Sequence, residues 1–404
     1  MYLSLSWRNI WRNKKRTLIV AASVFFAVIL AAIMRSAQLG SYSYMIHSSA
    51  KLFTGYLQVQ GQGYWDKRSL DNSMVIDSQL QQEISQISHV TNVTPRLEGF
   101  ALVSFGVNTK VGEVIGIDPD REDNMTGLKQ RLVAGDFLTS DAQGALIGAG
   151  LAHRLKTALG DSIVLYGQGY HGQIAAAKLP VTGIVKLPFQ EMNNSFVFLA
   201  LGCAQNLFSA YDRITSLPIM IDNNRHLNTV QSTLRSKLNP EYAIMTWDQM
   251  MPDLVQNIQL DNASGIVMLI ILYIVIGFGV FGTVMMMMME RTKEFGILIS
   301  VGMKKTRLML VTTLESIFLS FIGVIVGIFS SYPIIYYLKL HPIHITGEGA
   351  KTFDSLGIEP IFNFSTDSIV FISQATIVFI IALVTALYPL FFIRKIEPNK
   401  AMRM

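Results

Sequence analysis

Four stretches of this chain are almost free of charge, and each is long enough to cross a lipid bilayer. The first runs from Thr17 to Met34 between Arg16 and Arg35, and the second from Asn262 to Met289 between Asp261 and Glu290. The third begins near Leu308 and ends near Leu338, broken only by Glu315; the fourth runs from Ser368 to Ile393 between Asp367 and Arg394. A helix rises about 1.5 Å per residue and the hydrocarbon core is about 30 Å thick, so roughly 20 apolar residues suffice. Inside lipid the backbone must satisfy its own hydrogen bonds, which leaves helices as the structure for such runs. Charged residues make up only 15% of the chain, against about a quarter in soluble domains, and the deficit is concentrated in these four places.

The first stretch exceeds the roughly 7–15 apolar residues of a cleaved signal peptide, and its basic leader contains Trp7 and Trp11. It therefore reads as a retained span. Basic residues set the orientation. Arg8, Arg12, Lys14, Lys15 and Arg16 precede the first span; Arg291, Lys293, Lys304, Lys305 and Arg307 lie between the second and third; Arg394, Lys395, Lys400 and Arg403 follow the fourth. The loop between the third and fourth has Lys339 and Lys351 against Glu348, Asp354, Glu359 and Asp367. The positive-inside rule places both termini and the second loop in the cytosol. The net charge of +5 is then a topological bias and no sign of nucleic-acid binding.

The expected fold is an α-helical membrane protein with four transmembrane helices, both ends inside, and a large α+β extracytoplasmic domain inserted between the first two. The expected segments are an interfacial helix at 1–16, a first span at 17–38, the outer domain with stalk helices at 39–262 and a second span at 263–289. A cytosolic segment at 290–306, a third span at 307–338, an outer loop at 339–367, a fourth span at 368–393 and a tail at 394–404 follow. Leu3, Trp7, Ile10 and Trp11 recur at helical spacing with basic neighbours, which suits a helix lying on the inner leaflet. Ser36 to Lys51 reads as the first span continuing outward as a stalk, and Trp247–Asn262 as a second stalk returning.

Alternation and turn residues predict strands at Tyr56–Gln60, Phe100–Phe105, Val111–Ile117, Ala145–Ile147, Ser162–Tyr166, Val181–Val185, Phe196–Leu199, Pro218–Ile221 and Tyr242–Thr246. Helices are expected at Ser78–Ser88, Leu151–Ala158, Ala200–Phe208 and Leu227–Lys237. Cys203 is the single cysteine, so this domain relies on its own core, which roughly 220 residues can supply.

Motifs for catalysis are missing from the sequence. No GxxxxGK[ST] phosphate loop occurs; the nearest string, Gly347-Glu348-Gly349-Ala350-Lys351-Thr352, lacks the glycine before lysine. HExxH and GxSxG are absent. His341 and His344 flank a proline without an evident third ligand and read as loop residues, so no metal site is expected. Met285–Met289 face all round a helix and read as flexible packing. Gly323 and Gly327 form a GxxxG spacing, and Gly277, Gly279 and Gly282 thin the second span. Close helix packing is their expected use, within one chain or between two. Glu315 is the one carboxylate inside a span; it is either a functional group or a paired residue that fixes packing.

The segment from Glu290 to Lys305 is short, amphipathic and cytosolic by the charge argument. Gly296 and Gly302 would permit tight turns around one short helix, placed to receive a push from a cytosolic partner; a plain connecting loop is the alternative. Glu294, Gly296, Leu298 and Gly302 match an E-x-G-x-L-x-x-x-G stretch, and here the chain resembles the MacB/FtsX/LolE family of ABC-transporter permeases. The opening Trp7-Arg8-Asn9 with Arg12-Asn13-Lys14-Lys15-Arg16 is similar to that family's start. Tyr388-Pro389 and Ile396-Glu397-Pro398-Asn399-Lys400-Ala401-Met402-Arg403 are similar to its ending. Val90–Arg96, Gly116-Ile117-Asp118-Pro119, Val133–Asp136, Leu146-Ile147-Gly148 with Leu151-Ala152, and Gly160–Ile163 resemble its outer domain in the same order.

The resemblance implies a non-enzymatic permease subunit whose coupling helix docks on a separate cytosolic ATPase dimer. The candidate coupling residues are Glu290, Arg291, Lys293, Glu294, Phe295, Gly296, Leu298 and Gly302. ATP and Mg would sit on the partner, with no cofactor bound directly. A second permease subunit, identical or paralogous, an acylated or amphiphilic cargo and a periplasmic carrier are the other implied partners, in a bacterial inner membrane. Without an ATPase domain in the chain and with a large outer domain, the lipoprotein-releasing type is the nearest likeness. An exporter of peptides or small amphiphiles and a force-transmitting regulator of an envelope enzyme or sensor are the alternatives.

Overall fold

The computed structural model describes residues 2–12, 14–347 and 361–397. The tail motif from Pro398 to Arg403, the string from Glu348 to Thr352, and Asp354 and Glu359 lie outside the described residues. The described residues divide into two compact units, one within Met1–Tyr44, Asn257–His344 and Ile361–Met404 and the other within Met45–Gln256 and Ile345–Pro360.

Four helices are long and apolar enough to cross a membrane, Thr17–Thr54, Pro252–Glu290, Lys305–Leu340 and Ser368–Lys395, and the first unit holds the first of them up to Tyr44, the second from Asn257, and the third and fourth. The fourth bends at Ala386 and Leu387 between Ser368–Thr385 and Tyr388–Lys395. Pro389 accounts for the bend, because proline lacks the N–H that a continuing helix requires. The helices meet around Val24, Ala27, Val28, Ala31, Ile276, Val280, Val284, Val324, Ala375, Val378 and Ala382. Small residues allow that approach. A Cβ on Gly323 would come within 2.7 Å of the Ala21 carbonyl oxygen, and one on Gly327 within 2.9 Å of Val28 Cβ. The GxxxG pair thus seats the third helix on the first within one chain. The glycines of the second helix behave differently. Gly277 has only Ile381 within reach at 3.5 Å, and nothing described lies within 4 Å of a Cβ at Gly279 or Gly282. Among the described residues, Gly279 and Gly282 make no such close packing.

A polar network ties the first and second helices. Arg35 donates to Gln38 Oε1 at 2.6 Å and to Asn262 Oδ1 at 3.0 Å. Tyr42 donates to Asp261 Oδ2 at 2.6 Å. Buried or half-buried polar groups on an apolar helix are costly unless paired, so this network fixes the rotation of one helix against the other.

The second unit is α+β. Its strands are β1 (Leu57–Gly61), β2 (Met74–Val75), β3 (Val90–Val93), β4 (Arg96–Phe105), β5 (Asn108–Ile117), β6 (Leu132–Gly135) and β7 (Ala145–Gly148). They continue as β8 (Ser162–Gln168), β9 (Ile174–Val185), β10 (Phe196–Ala200), β11 (Arg213–Ile214), β12 (Ser216–Ile221) and β13 (Tyr242–Thr246). Ladders join β4 to β5, β5 to β10, β10 to β7, β7 to β9, β9 to β8 and β8 back to β4, a closed circuit. Leu97, Val103, Val114, Ile147, Leu165, Val197 and Leu199 are fully buried in the core cluster built on these strands. Strands β13, β1, β12 and β3 extend the sheet over a second core that includes Leu57, Leu217, Ile219 and Leu234.

Several elements differ from the sequence expectation. Strand β4 begins at Arg96, not Phe100, because its charged residues are internally paired and so tolerate burial. Arg96 makes a two-point contact with Glu122, Nη2 to Oε1 at 2.6 Å and Nε to Oε2 at 3.0 Å, and also donates to the Phe53 carbonyl. Glu98 accepts from Tyr64, Arg68 and Ser216. Glu122 lies on an unexpected helix, Pro119–Thr126, capped by Asp118 and stopped at Gly127 with φ +67°. The expected second stalk is broken. Trp247–Met250 is a separate turn and the long helix starts at Pro252, since the residue before a proline is disfavoured in helical conformation. The first long helix, Lys14–Ser49, ends in a wider turn at Ala50–Thr54.

Candidate functional site

The candidate site is the segment that joins the second and third long helices. Glu290 closes the second helix and is exposed, Arg291 makes the turn, and Thr292–Ser300 forms a short helix. Gly302, with φ +105°, ends it in a conformation that side-chain-bearing residues rarely adopt. Gly296 was expected at a turn; it is instead buried within the helix. The turn function falls to Arg291 and Gly302.

Arg291 ties this helix to the third long helix. Arg291 is 6% exposed. It donates from Nη1 to Glu315 Oε2 at 2.7 Å and from Nε to Glu294 Oε2 at 3.2 Å. Its guanidinium also lies 5.2 Å from the Phe295 ring centroid. Phe295 is fully buried with Ile10, Met287, Met288, Leu308, Leu319 and Ile393. Glu315, the carboxylate of the third helix, is therefore a paired residue. A buried carboxylate without its guanidinium would be strongly destabilised, so the pair holds the short helix at one rotation against the third.

With that rotation set, the other face is open. Lys293 is exposed, and Ile297, Leu298 and Val301 are 49%, 38% and 83% exposed. Beside them lies a cleft of about 350 Å³ lined in part by Asn9, Arg12, Arg291, Glu294, Met303 and Val311. The amino-terminal helix, Tyr2–Arg12, supplies Asn9 and Arg12 to it and packs on the third helix. Ser6 Oγ donates to the Val311 carbonyl at 3.1 Å, and Trp7 meets Phe318 edge to face. Ile10 is buried while Trp7 and Trp11 are 45% and 59% exposed. The expected interfacial stripe is thus divided, with Ile10 serving protein packing and the tryptophans facing out.

Residues 17–237 match the MacB-like periplasmic core domain and residues 266–398 match the FtsX-like permease C-terminal domain. The chain belongs to the MacB/FtsX/LolE-type ABC-transporter permeases. Among its relatives is the lipoprotein-releasing system transmembrane protein LolC of Xylella fastidiosa, 24% identical over 78% of each chain. LolE of Haemophilus influenzae is 23% identical over 55% of each. The macrolide export ATP-binding/permease protein MacB of Neisseria meningitidis is 20% identical over 80% of this chain and 51% of its own length.

In this permease the sequence singled out the segment but did not show how it is held. Arg291 sits in the run Glu290-Arg291-Thr292-Lys293-Glu294, which reads as a solvated charge cluster. Nothing local distinguishes the buried Arg291 from the exposed Lys293; the distinction comes from the third helix placing Glu315 opposite one of them. Asn9, Arg12 and Ser6 were not expected at the site. Their signal, a polar stripe on an otherwise apolar helix, is too weak to separate from a membrane-surface helix.

Proposed function

We propose that this permease works with a separate cytosolic ATPase dimer and a second permease subunit to move acylated proteins out of a bacterial inner membrane. Both ends of the chain and the short helix are placed in the cytosol, and the α+β unit in the periplasm, on the strength of the basic residues that flank the four spans. ATP and Mg are bound by the partner. The observation that carries the reading is the exposed apolar face of Ile297, Leu298 and Val301, rigidly presented by the Arg291–Glu315 pair. An exposed apolar patch beside a charged rim fits a docking surface, and a helix locked to two spans passes on what its partner does.

Extracting a lipid anchor costs about 0.8 kcal/mol per CH₂ withdrawn from the bilayer, so such cargo requires coupled work. The likeness to LolC over most of both chains favours lipoprotein release. The second long helix is the least covered of the four, with 17% of its apolar window buried, and offers a surface for the second permease or for cargo. Export of peptides or small amphiphiles is the second reading, favoured by the match to MacB.

The test uses the complex with its ATPase in proteoliposomes. Glu294→Lys places a second cation beside Arg291 and is expected to lower cargo released per ATP by about tenfold, the equivalent of roughly 1.4 kcal/mol. Release should also require the acyl chain. Unchanged coupling and unchanged co-purification of the ATPase would overturn the docking assignment. Release of an unacylated cargo would favour the second reading.

A further inference from the structure

The antiparallel pairing of β3 with β12 sets Ile221 opposite Val90. The residues just beyond, His89 before β3 and Asp222 after β12, are joined by a hydrogen bond from the Asp222 amide to the His89 carbonyl at 3.0 Å. His226 follows one turn later, in the short turn Asn224–His226 that leads into the helix Leu227–Lys237. The chain thus brings two imidazoles to the two oxygens of one carboxylate. His89 Nδ1 lies 2.9 Å from Asp222 Oδ2, and His226 Nδ1 lies 2.8 Å from Asp222 Oδ1. One ligand atom from each residue falls within 4.8 Å of the others.

We propose that His89, Asp222 and His226 form a binding site for a divalent first-row transition ion, zinc by the chemistry of the donors. Two imidazole nitrogens and one carboxylate oxygen are a usual zinc set, with metal–nitrogen distances near 2.0–2.1 Å and a water in the fourth position. Calcium and magnesium prefer all-oxygen shells, and the three donors include no thiolate or thioether to select a softer ion.

The rings are stacked, with centroids 3.7 Å apart and planes 26° from parallel. An ion must lie in the plane of each imidazole it binds, so the rings fan apart about their Cβ–Cγ bonds when it enters. Both side chains are about one-third exposed, 35% and 37%, and solvent leaves room for that rotation. For each neutral ring the Nδ1 proton is given up and Nε2 takes one, so the tautomer changes while the ring stays neutral. The bound ion would tie the loop before β3 to the start of the Leu227–Lys237 helix. This site is independent of the coupling segment and of the transport reading.

The experiment uses the full chain in detergent, purified without a histidine tag and stripped with chelator, with Zn²⁺ alone as the probe. Equilibrium dialysis and elemental analysis are expected to give one tightly held ion per chain. Co²⁺ in its place should give the d–d absorption of a nitrogen- and oxygen-ligated ion. His226→Ala and Asp222→Asn should weaken retention by about tenfold or more, while His153→Ala, at an exposed histidine elsewhere, should not. His226→Gln can still hydrogen-bond to Asp222, so it keeps the fold and loses the ligand. Zinc should raise the melting temperature of the wild type and not of His226→Gln. Absence of a retained ion in the wild type, or equal retention in His226→Gln, overturns the proposal.

Discussion

Among the described residues two arginines are buried, one in each unit, and they are held differently. Arg96 is enclosed. Both of its Glu122 contacts are buried, its third donor goes to the Phe53 carbonyl, and the side chains of the pair are 3% and 1% exposed. Arg291 is shared between two carboxylates. Glu315 is as buried as the arginine, at 7% each, but Glu294 is 44% exposed and lines an open cleft. A closed pair has one arrangement and acts as a fixed joint. A shared arginine with one solvent-facing partner can be biased from outside, because whatever binds Glu294 changes the balance of its contacts. The first suits the place where the wide turn at Ala50–Thr54 meets the sheet; the second suits a surface that receives a partner.

Breaking the closed joint should have the largest effect. Arg96→Met leaves Glu122 buried without its cation and is expected to cost about 3–5 kcal/mol in denaturant unfolding of the full chain. Adding Glu122→Leu should restore much of it; an equal loss in the double variant would show that Arg96 acts through packing alone. At the shared joint, Glu315→Gln keeps a hydrogen-bond acceptor, and Arg291 retains Glu294. A smaller stability loss of about 1–3 kcal/mol is expected, together with a fall in transport per ATP that exceeds what the folded fraction explains. Equal falls in both would make this joint no different from the first.

A third test turns on pH and touches only the unit that holds the closed joint. Burial, and then the charge of Glu98, push the Glu113 carboxyl up to about 7 against the opposing pull of Arg68 and Arg96. A group whose folded value is raised contributes its stability below its unfolded value near 4.5, and the contribution is lost as pH rises through about 7. Glu113→Gln should therefore raise stability by roughly 1 kcal/mol at pH 8, less at pH 5, and have almost no effect at pH 4. A gain that persists undiminished at pH 4 would show that the charge is not its cause.

The spans were legible because length and apolarity alone decide whether a helix can cross lipid, and no distant residue alters that. The strands in the second unit were legible where apolar residues alternate, as in Val111–Ile117 and Tyr242–Thr246. They were hidden where charge is buried, as at Arg96 and Glu98, because a charged residue reads as exposed until its partner is known. The helix Pro119–Thr126 had readable ends in Asp118, Pro119 and Gly127, but its body carries too little apolar periodicity to stand out. The candidate ion site was invisible, since His89 is far from Asp222 and His226 in sequence and only the β3–β12 register joins them.

By itself, the sequence determined the four apolar helices, the inserted α+β unit and the short amphipathic segment after the second span. Each follows from local composition, because span length, strand alternation and glycine ends are properties of neighbouring residues. Only the tertiary structure decided which glycines pack, which arginine is buried and which face of the short helix is left open. Gly323–Gly327, four apart, and Gly279–Gly282, three apart, both read as close-packing positions, yet the first pair meets Val24 and Val28 and the second meets nothing described. Arg291 and Lys293 look alike as charges, yet Glu315 selects one of them. Those outcomes depend on what lies opposite, and residues far apart in the chain determine that only once the helices have packed.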